Sequence, residues 1–140
     1  MITTILGKTL RWYQSGDWIF DPFQIRADRV EYTLAQGPHT GRHAVQHFEY
    51  QRVAPGVETT AWYEETGAVV HITWYLDTQT TRRYAALPAW LAVNFPATGG
   101  DNSDPEFLAR MRELAATGSD APRTILSDQG YFEVLSSATT

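Results

Sequence analysis

The 140-residue sequence contains no cysteine, which removes disulfide frameworks, thiolate nucleophiles and thiolate metal sites from consideration. It has no long apolar run of membrane-span length. Its N-terminus, Met1-Ile2-Thr3-Thr4-Ile5-Leu6-Gly7-Lys8, lacks the basic-then-apolar order of a secretory signal. Positive charge is in short supply: 11 basic against 16 acidic residues give a net charge of -5. That balance disfavours a general nucleic-acid binder, which carries a basic face. There is no internal repeat, no low-complexity tract and no linker long enough to divide the chain. A cytoplasmic protein is therefore expected, built as one domain over residues 1–140, without nucleic-acid or membrane partners.

What the chain has in quantity is aromatic residues, 13% of the total, including five Trp and seven Tyr. Such side chains combine a large apolar body with a polar handle, so they suit cores and ligand cavities alike. The plainer assignment, to core, covers most of them.

Up to about residue 93 the sequence reads as strands separated by short breaks. Residues 9–13 are β-prone and end at Ser15-Gly16-Asp17, and residues 18–20 follow closely enough for a hairpin. Asp21-Pro22 predicts a bulge or an edge. Residues 24–26 lead to a polar turn at 27–29, and residues 30–34 alternate at period two. Residues 36–41 are a loop by composition. Residues 43–53 form another alternating run, residues 57–63 a strand, and residues 68–76 the clearest strand in the chain. Residues 82–87 return after a turn at 77–80.

After residue 94 the pattern changes. Residues 96–105 are a loop rich in Gly, Asp and Asn. Asp104-Pro105-Glu106 then starts a helix, with Asp as N-cap and Pro at the first helical position. Phe107, Leu108, Met111 and Leu114 make one apolar stripe, and Gly118 ends a helix over about 104–117. Residues 131–135 read as a last short strand. The fold class expected is mainly β: a single antiparallel β-barrel, of the size that can hold one small ligand, with one C-terminal helix. A mixed sheet under a helical lid is the competing arrangement.

Chemistry-bearing residues are few. If Trp62 points inward, period two turns Glu64 inward as well. A carboxyl in an aromatic cavity has a raised pKa and suits general acid or base work. Periodicity alone favours the plainer reading, that Glu64 and Glu65 are solvated turn residues. Arg42 follows a Gly-rich loop; turned inward its fork could clamp a carboxylate or phenolate, turned outward it is a surface cation. His43 and His47 share one strand face about 13 Å apart at ~3.3 Å per residue, too far for one metal ion. No metal site is expected. His71 shares its face with Val69, Thr73 and Tyr75, while Val70, Ile72 and Trp74 take the other. No phosphate-binding Gly loop and no nucleophile elbow is present.

The order of segments resembles the phenolic acid decarboxylases, lipocalin-like (calycin) barrels that work without a cofactor as dimers; MoaF-like proteins share the general look. Gly7-Lys8-Thr9-Leu10, an aromatic pair and Ser15-Gly16-Asp17-Trp18 are similar to that family's first hairpin. Glu31-Tyr32 and Gly41-Arg42 resemble its next strand and arginine loop, Trp62-Tyr63-Glu64-Glu65-Thr66-Gly67 its catalytic-acid segment, and Leu87-Pro88-Ala89-Trp90-Leu91 a further aromatic stretch. The likeness spans roughly residues 5–95 and, more loosely, the late helix.

The resemblance implies a cofactor-free, homodimeric lyase acting on a small aromatic or unsaturated acid. Glu64 would be the proton donor and Arg42 the substrate clamp. It also shows a departure. Trp12 and Gln14 occupy the positions of a tyrosine pair that holds one end of the family's substrate, with Tyr13 between them, and Phe20 replaces a further tyrosine. The expected substrate-binding set is Trp12, Tyr13, Gln14, Phe20, Trp62, His71, Trp74 and Tyr75. Two alternatives accompany the decarboxylase-like lyase: a secondary-metabolite cyclase, dehydratase or isomerase on the same barrel, and a non-catalytic calycin-like ligand carrier. A filled barrel with a structural or interaction role ranks last.

Overall fold

The computed structural model of the chain describes residues 2–137. Alternating inward and outward side chains dictate the architecture. In β1 (Lys8–Gln14) Leu10, Trp12 and Gln14 are buried and their neighbours are not. The same period of two runs through β3 (Arg29–Gln36), β6 (Val57–Tyr63), β7 (Val69–Tyr75) and β8 (Thr80–Leu87). With β2 (Trp18–Ile25), β4 (His43–His47), β5 (Glu49–Ala54) and β9 (Thr124–Ser137), these strands form one sheet in the order β4-β3-β2-β1-β9-β8-β7-β6-β5. Every pairing is antiparallel, and the sheet curls into a nearly closed barrel. The mixed sheet is thereby set aside.

The first hairpin forms as its turn signals predict, with Gln14 opposite Trp18 and Gly16 and Asp17 both at positive φ. At Asp21-Pro22 the strand continues but its register slips between Phe20 and Phe23, the bulge expected there. Residues 43–53 are two strands rather than one, because Phe48 turns inward between β4 and β5 at the open seam.

The last strand is far longer than residues 131–135. Ser127, Asp128, Gln129 and Gly130 carry turn-like composition, but all four pair with β8, and from Gly130 onward β9 pairs with β1 as well. Ladder pairing overrides local preference.

Two short helical pieces were not expected. Helix α1 (Ala89–Ala92) and the 3-10 turn Phe95–Thr98 are too brief to show periodicity. Long-range backbone bonds hold the first: Ala89 N–H donates to Asp120 O at 2.9 Å and Trp90 N–H to Ser119 O at 3.0 Å. Helix α2 (Pro105–Thr117) matches its expectation closely, with the Asp104 carboxylate accepting from Glu106 N–H at 3.0 Å. Phe107 and Met111 are its buried contacts.

Aromatic rings fill most of the barrel interior. Trp12 stacks on Phe20 at 4.2 Å and meets Phe23 and Trp74 at 5.0 and 5.4 Å, and Phe132 closes on Trp74 at 5.4 Å. Near the N-terminus the buried Glu58 carboxylate accepts from Ile5 N–H at 2.7 Å, Thr4 Oγ1 at 3.0 Å and Tyr50 OH at 2.5 Å. No helix among the described residues is long and apolar enough to cross a membrane.

Candidate functional site

The remaining interior space is a cavity of about 40 Å³. Trp12, Trp18, Phe20 and Trp62 supply its aromatic wall, Ala68, Val70, Ala85, Leu87, Leu91 and Leu126 its aliphatic wall, and Tyr32, His39, Arg42, Glu64 and Arg83 its polar groups.

Arg42 reaches this cavity through the β3–β4 loop. Gly41, at φ +91°, ends that loop, and Arg42 takes the same parity as the inward Ala44 and Gln46. Its side chain is 1% exposed. Burial opposes its charge, but Tyr32, Glu64 and Glu65 around it outweigh that and hold its pKa well above the ordinary arginine value.

The glutamates come from the turn after β6. Trp62 points inward, so Glu64 does too, and Gly67 at φ +85° brings the chain back with Gly67 N–H donating to Glu64 O at 2.8 Å. Glu64 Oε2 accepts from the Tyr32 hydroxyl and from Trp62 Nε1 at 3.2 Å. Glu64 Oε1 stands 3.8 Å from Arg42 Nη2. Glu65 is the closer partner of the arginine, with Oε1 at 2.7 Å from Nη2 and Oε2 at 2.6 Å from Nη1. Gln46 and Asn102 also donate to Glu65 Oε1, at 3.1 and 3.2 Å. Burial alone would raise the Glu65 pKa; hydrogen bonds and charge from Arg42 hold it below the usual carboxylate range. Both glutamates are therefore tied into a hydrogen-bonded cluster with Arg42 rather than solvated in the turn, and Glu64 lines the cavity.

Tyr32 is buried, and desolvation together with the facing Glu64 carboxylate pushes its phenol far above its ordinary pKa. It stays a hydroxyl donor. His39 packs edge-on against Trp18 and Phe95 and shares a 3.0 Å contact from Nδ1 to Thr98 Oγ1. Burial, reinforced by the Arg42 charge, lowers its pKa to about 3, so it is a neutral imidazole. Among the described residues four buried polar atoms here make no hydrogen bond: Arg42 Nε, Arg42 Nη1, Glu65 Oε2 and Thr66 Oγ1; Nη1 and Oε2 still face each other as an ion pair, whereas Arg42 Nε has no acceptor at all.

A second charged group lies on β8. Arg83 takes the inward parity of Thr81, Ala85 and Leu87. It faces Asp128, its register partner on β9, with Nε to Oδ1 at 3.0 Å and Nη2 to Oδ2 at 2.7 Å. Its guanidinium carbon lies 4.8 Å from the centre of the Trp18 ring.

Trp12, Phe20 and Trp62 line the cavity as expected. Gln14 is buried behind the wall, occupied by Trp12 Nε1 and Thr81 Oγ1 at 2.9 Å each and by Asp128 at 2.8 Å. Trp74 is core, its indole N–H donating to Thr60 Oγ1. Tyr13, His71 and Tyr75 require correction: period two puts all three on the outer face. Tyr13 stacks there on Tyr131 at 4.5 Å. His43 is also outside, between Asp101 and Glu31 carboxylates at 3.0 and 3.1 Å. No metal-binding cluster of three or more His, Asp or Glu occurs among the described residues. Sequence reasoning missed Trp18, Tyr32, His39 and Arg83 as cavity residues. Inward parity on β2, β3 and β8 was the available signal for Trp18, Tyr32 and Arg83; nothing local marked His39.

No family model matches the chain, and no curated protein matches it. The decarboxylase resemblance therefore stands on its residues alone. Among solved structures, the chain is similar to a crystal structure named "putative beta-lactamase" from Burkholderia vietnamiensis. The TM-score is 0.62 at 14% identity, covering 96% of this chain and 100% of that one. At that identity the likeness shows a shared barrel fold.

Proposed function

We propose that the cavity is the active site of a cofactor-independent acid–base enzyme acting on a small unsaturated or aromatic acid, with Glu64 as the proton donor. The observation that carries this reading is the setting of Glu64. Its Oε2 is taken by the Tyr32 hydroxyl and the Trp62 indole N–H, while Oε1 accepts no hydrogen bond among the described residues and stands 3.8 Å from Arg42 Nη2, as the oxygen that would pass a proton to the substrate. A wall that is mostly aromatic and aliphatic keeps water away from that proton.

Decarboxylation is the most concrete form. Glu64, which takes up a proton from solvent between turnovers, passes it to the alkene carbon next to the substrate carboxylate. A para-hydroxyl releases its proton to water and supplies electrons through the ring. The bond to the carboxylate then breaks, carbon dioxide leaves, and the ring recovers its electrons and a proton from solvent. Arg42 steadies the site by neutralising Glu65. A bound acceptor or a water would satisfy its orphan Nε–H, whose isolation costs about 1–3 kcal/mol.

Size sets a condition. A ring-sized guest fills a cavity of about 150 Å³ in an engineered apolar core. An aromatic acid therefore enters only with displacement of part of the wall, and Trp18, His39 and Leu91 are the candidates. The name of the structural neighbour does not transfer easily, because the cavity wall holds no serine and no lysine to attack a lactam. A carrier is the second reading. It is favoured by the mutual neutralisation of the charged groups: Arg42 by Glu64 and Glu65, Arg83 by Asp128.

Ultraviolet absorbance with p-coumaric, ferulic and caffeic acids, on the wild type and on Glu64→Gln, tests the enzyme reading. Turnover that disappears in Glu64→Gln is the expected result. Absence of turnover in the wild type, with binding retained, moves the site to the carrier reading.

A further inference from the structure

We infer that Arg83, and not Arg42, is the group that grips the anionic end of the ligand. The inference rests on the cavity being a ligand site, and adds to it a specificity-determining residue and a ligand orientation.

Arg42 is poorly placed to attract an anion. Both of its terminal nitrogens contact Glu65, and Glu64 stands 3.8 Å away. An incoming carboxylate at that end meets two glutamate side chains against one guanidinium. Like charges within a few ångströms in a desolvated site are costly.

Arg83 shares its burial and its place in the cavity wall with Arg42 and differs from it in two respects. It faces one carboxylate, and Asp128 divides its Oδ1 between Arg83 Nε and Gln14 Nε2. Its Nη1 donates to nothing among the described residues, while Nε and Nη2 fix the fork in place. Its side chain is 3% exposed, yet it lines the cavity. A buried, oriented guanidinium with one free edge is the arrangement that binds carboxylate or phenolate oxygens.

The surroundings suit the rest of such a ligand. Trp18 lies against the guanidinium at 4.8 Å and continues the wall toward Phe20. A planar acid would lie along these rings with its carboxylate on Arg83 Nη1 and the adjoining carbon turned toward Glu64, which lines the same cavity. One charged station thus holds the ligand and a separate one moves the proton. The Gln14 found where a tyrosine is expected also acquires a function: it holds Asp128, and Asp128 aims Arg83.

The test is binding, measured by quenching of tryptophan fluorescence with benzoate and cinnamate, and with their methyl esters as uncharged controls. The wild type should bind the acids at least tenfold more tightly than the esters. Arg83→Met should lose that preference while still binding the esters. Asp128→Asn, which removes the competing negative charge, should tighten acid binding several-fold, a gain that misfolding cannot produce. Arg83→Lys should restore part of the preference. Unchanged acid binding in Arg83→Met, or weaker acid binding in Asp128→Asn with ester binding retained, overturns the inference. A wild type that binds neither acids nor esters overturns the ligand site itself. A wild type that binds acids through Arg83 but turns nothing over defeats only the enzyme reading.

Discussion

At the scale of single residues the molecule turns on how it buries charge. Arg42 is enclosed with Glu64 and Glu65 close to it; the Tyr32 hydroxyl and the Trp62 N–H donate to one oxygen of Glu64, and Gln46 and Asn102 to one oxygen of Glu65. Taking charges out of water is expensive, and removing one partner leaves the others stranded. Arg42→Met should therefore lower stability by about 3–5 kcal/mol at neutral pH, read by urea unfolding. The loss should shrink on acidification, as Glu65, held low by Arg42, takes up a proton and no longer needs the cation. A pH-independent loss would mean that Arg42 contributes packing rather than charge.

Sequence alone left Glu64 and Arg42 each with two orientations. What it could not supply was the partner of each. Glu65 follows Glu64 directly and lies across the barrel seam from Arg42, 23 residues away in the chain. No local pattern encodes a contact of that separation.

At the scale of elements, β9 holds the barrel together by pairing along β1 and β8. Its inner face carries Leu126, Asp128, Gly130 and Phe132, and Gly130 is opposite Gln14. A Cβ added at Gly130 would lie 2.0 Å from the Tyr13 carbonyl oxygen and 2.6 Å from Gln14 Oε1. The glycine is thus a requirement of close approach and not of backbone dihedral angle. Gly130→Ala should force β9 away from β1, disturb the Gln14–Asp128 contact, and cost on the order of 1–3 kcal/mol, occasionally more. Thermal unfolding would show the loss, and hydrogen exchange should show it first in β1 and β9. Unaltered protection in those strands would refute the assignment.

Element scale is also where sequence reading did best and worst. The first hairpin, the bulge at Asp21-Pro22 and helix α2 each depend on residues adjacent in the chain, and all three were legible. Residues 124–130 were not, because their strand conformation comes from the ladder with β8, joined by β1 only at Gly130. Edge protection was equally hidden. Asn102 brackets edge strand β4 by accepting from Val45 N–H at 3.0 Å and donating to Val45 O at 2.9 Å.

At the scale of the whole molecule, the barrel holds a neutral histidine whose ordinary pKa is near 6.5 and whose folded pKa is about 3. Between those values the unfolded chain binds a proton that the folded chain refuses. Stability is therefore lost as pH falls from about 6.5 toward 3, by on the order of a few kcal/mol from this group. Glu65, held low by Arg42, adds a loss in the same direction at the acid end of that range. His39→Gln should flatten the slope between pH 6.5 and 5, where carboxylates titrate little. Urea unfolding across pH 4 to 8 measures it, and an equal slope in wild type and variant would contradict a buried neutral His39.

The sequence by itself determined that the chain forms antiparallel strands with one late helix, because period-two alternation, turn residues and an N-cap are written in consecutive positions. It also determined the alternation of side chains along each strand, while leaving the orientation of Glu64 and Arg42 open. Only the tertiary structure decided that barrel curvature brings Arg42 to two glutamates and sets Arg83 under Trp18 against Asp128. Only it, too, decided that stacked rings occupy the interior around a small cavity. Those outcomes depend on strand register, on closure and on ring packing, which are properties of distant segments meeting and have no signature in neighbouring residues.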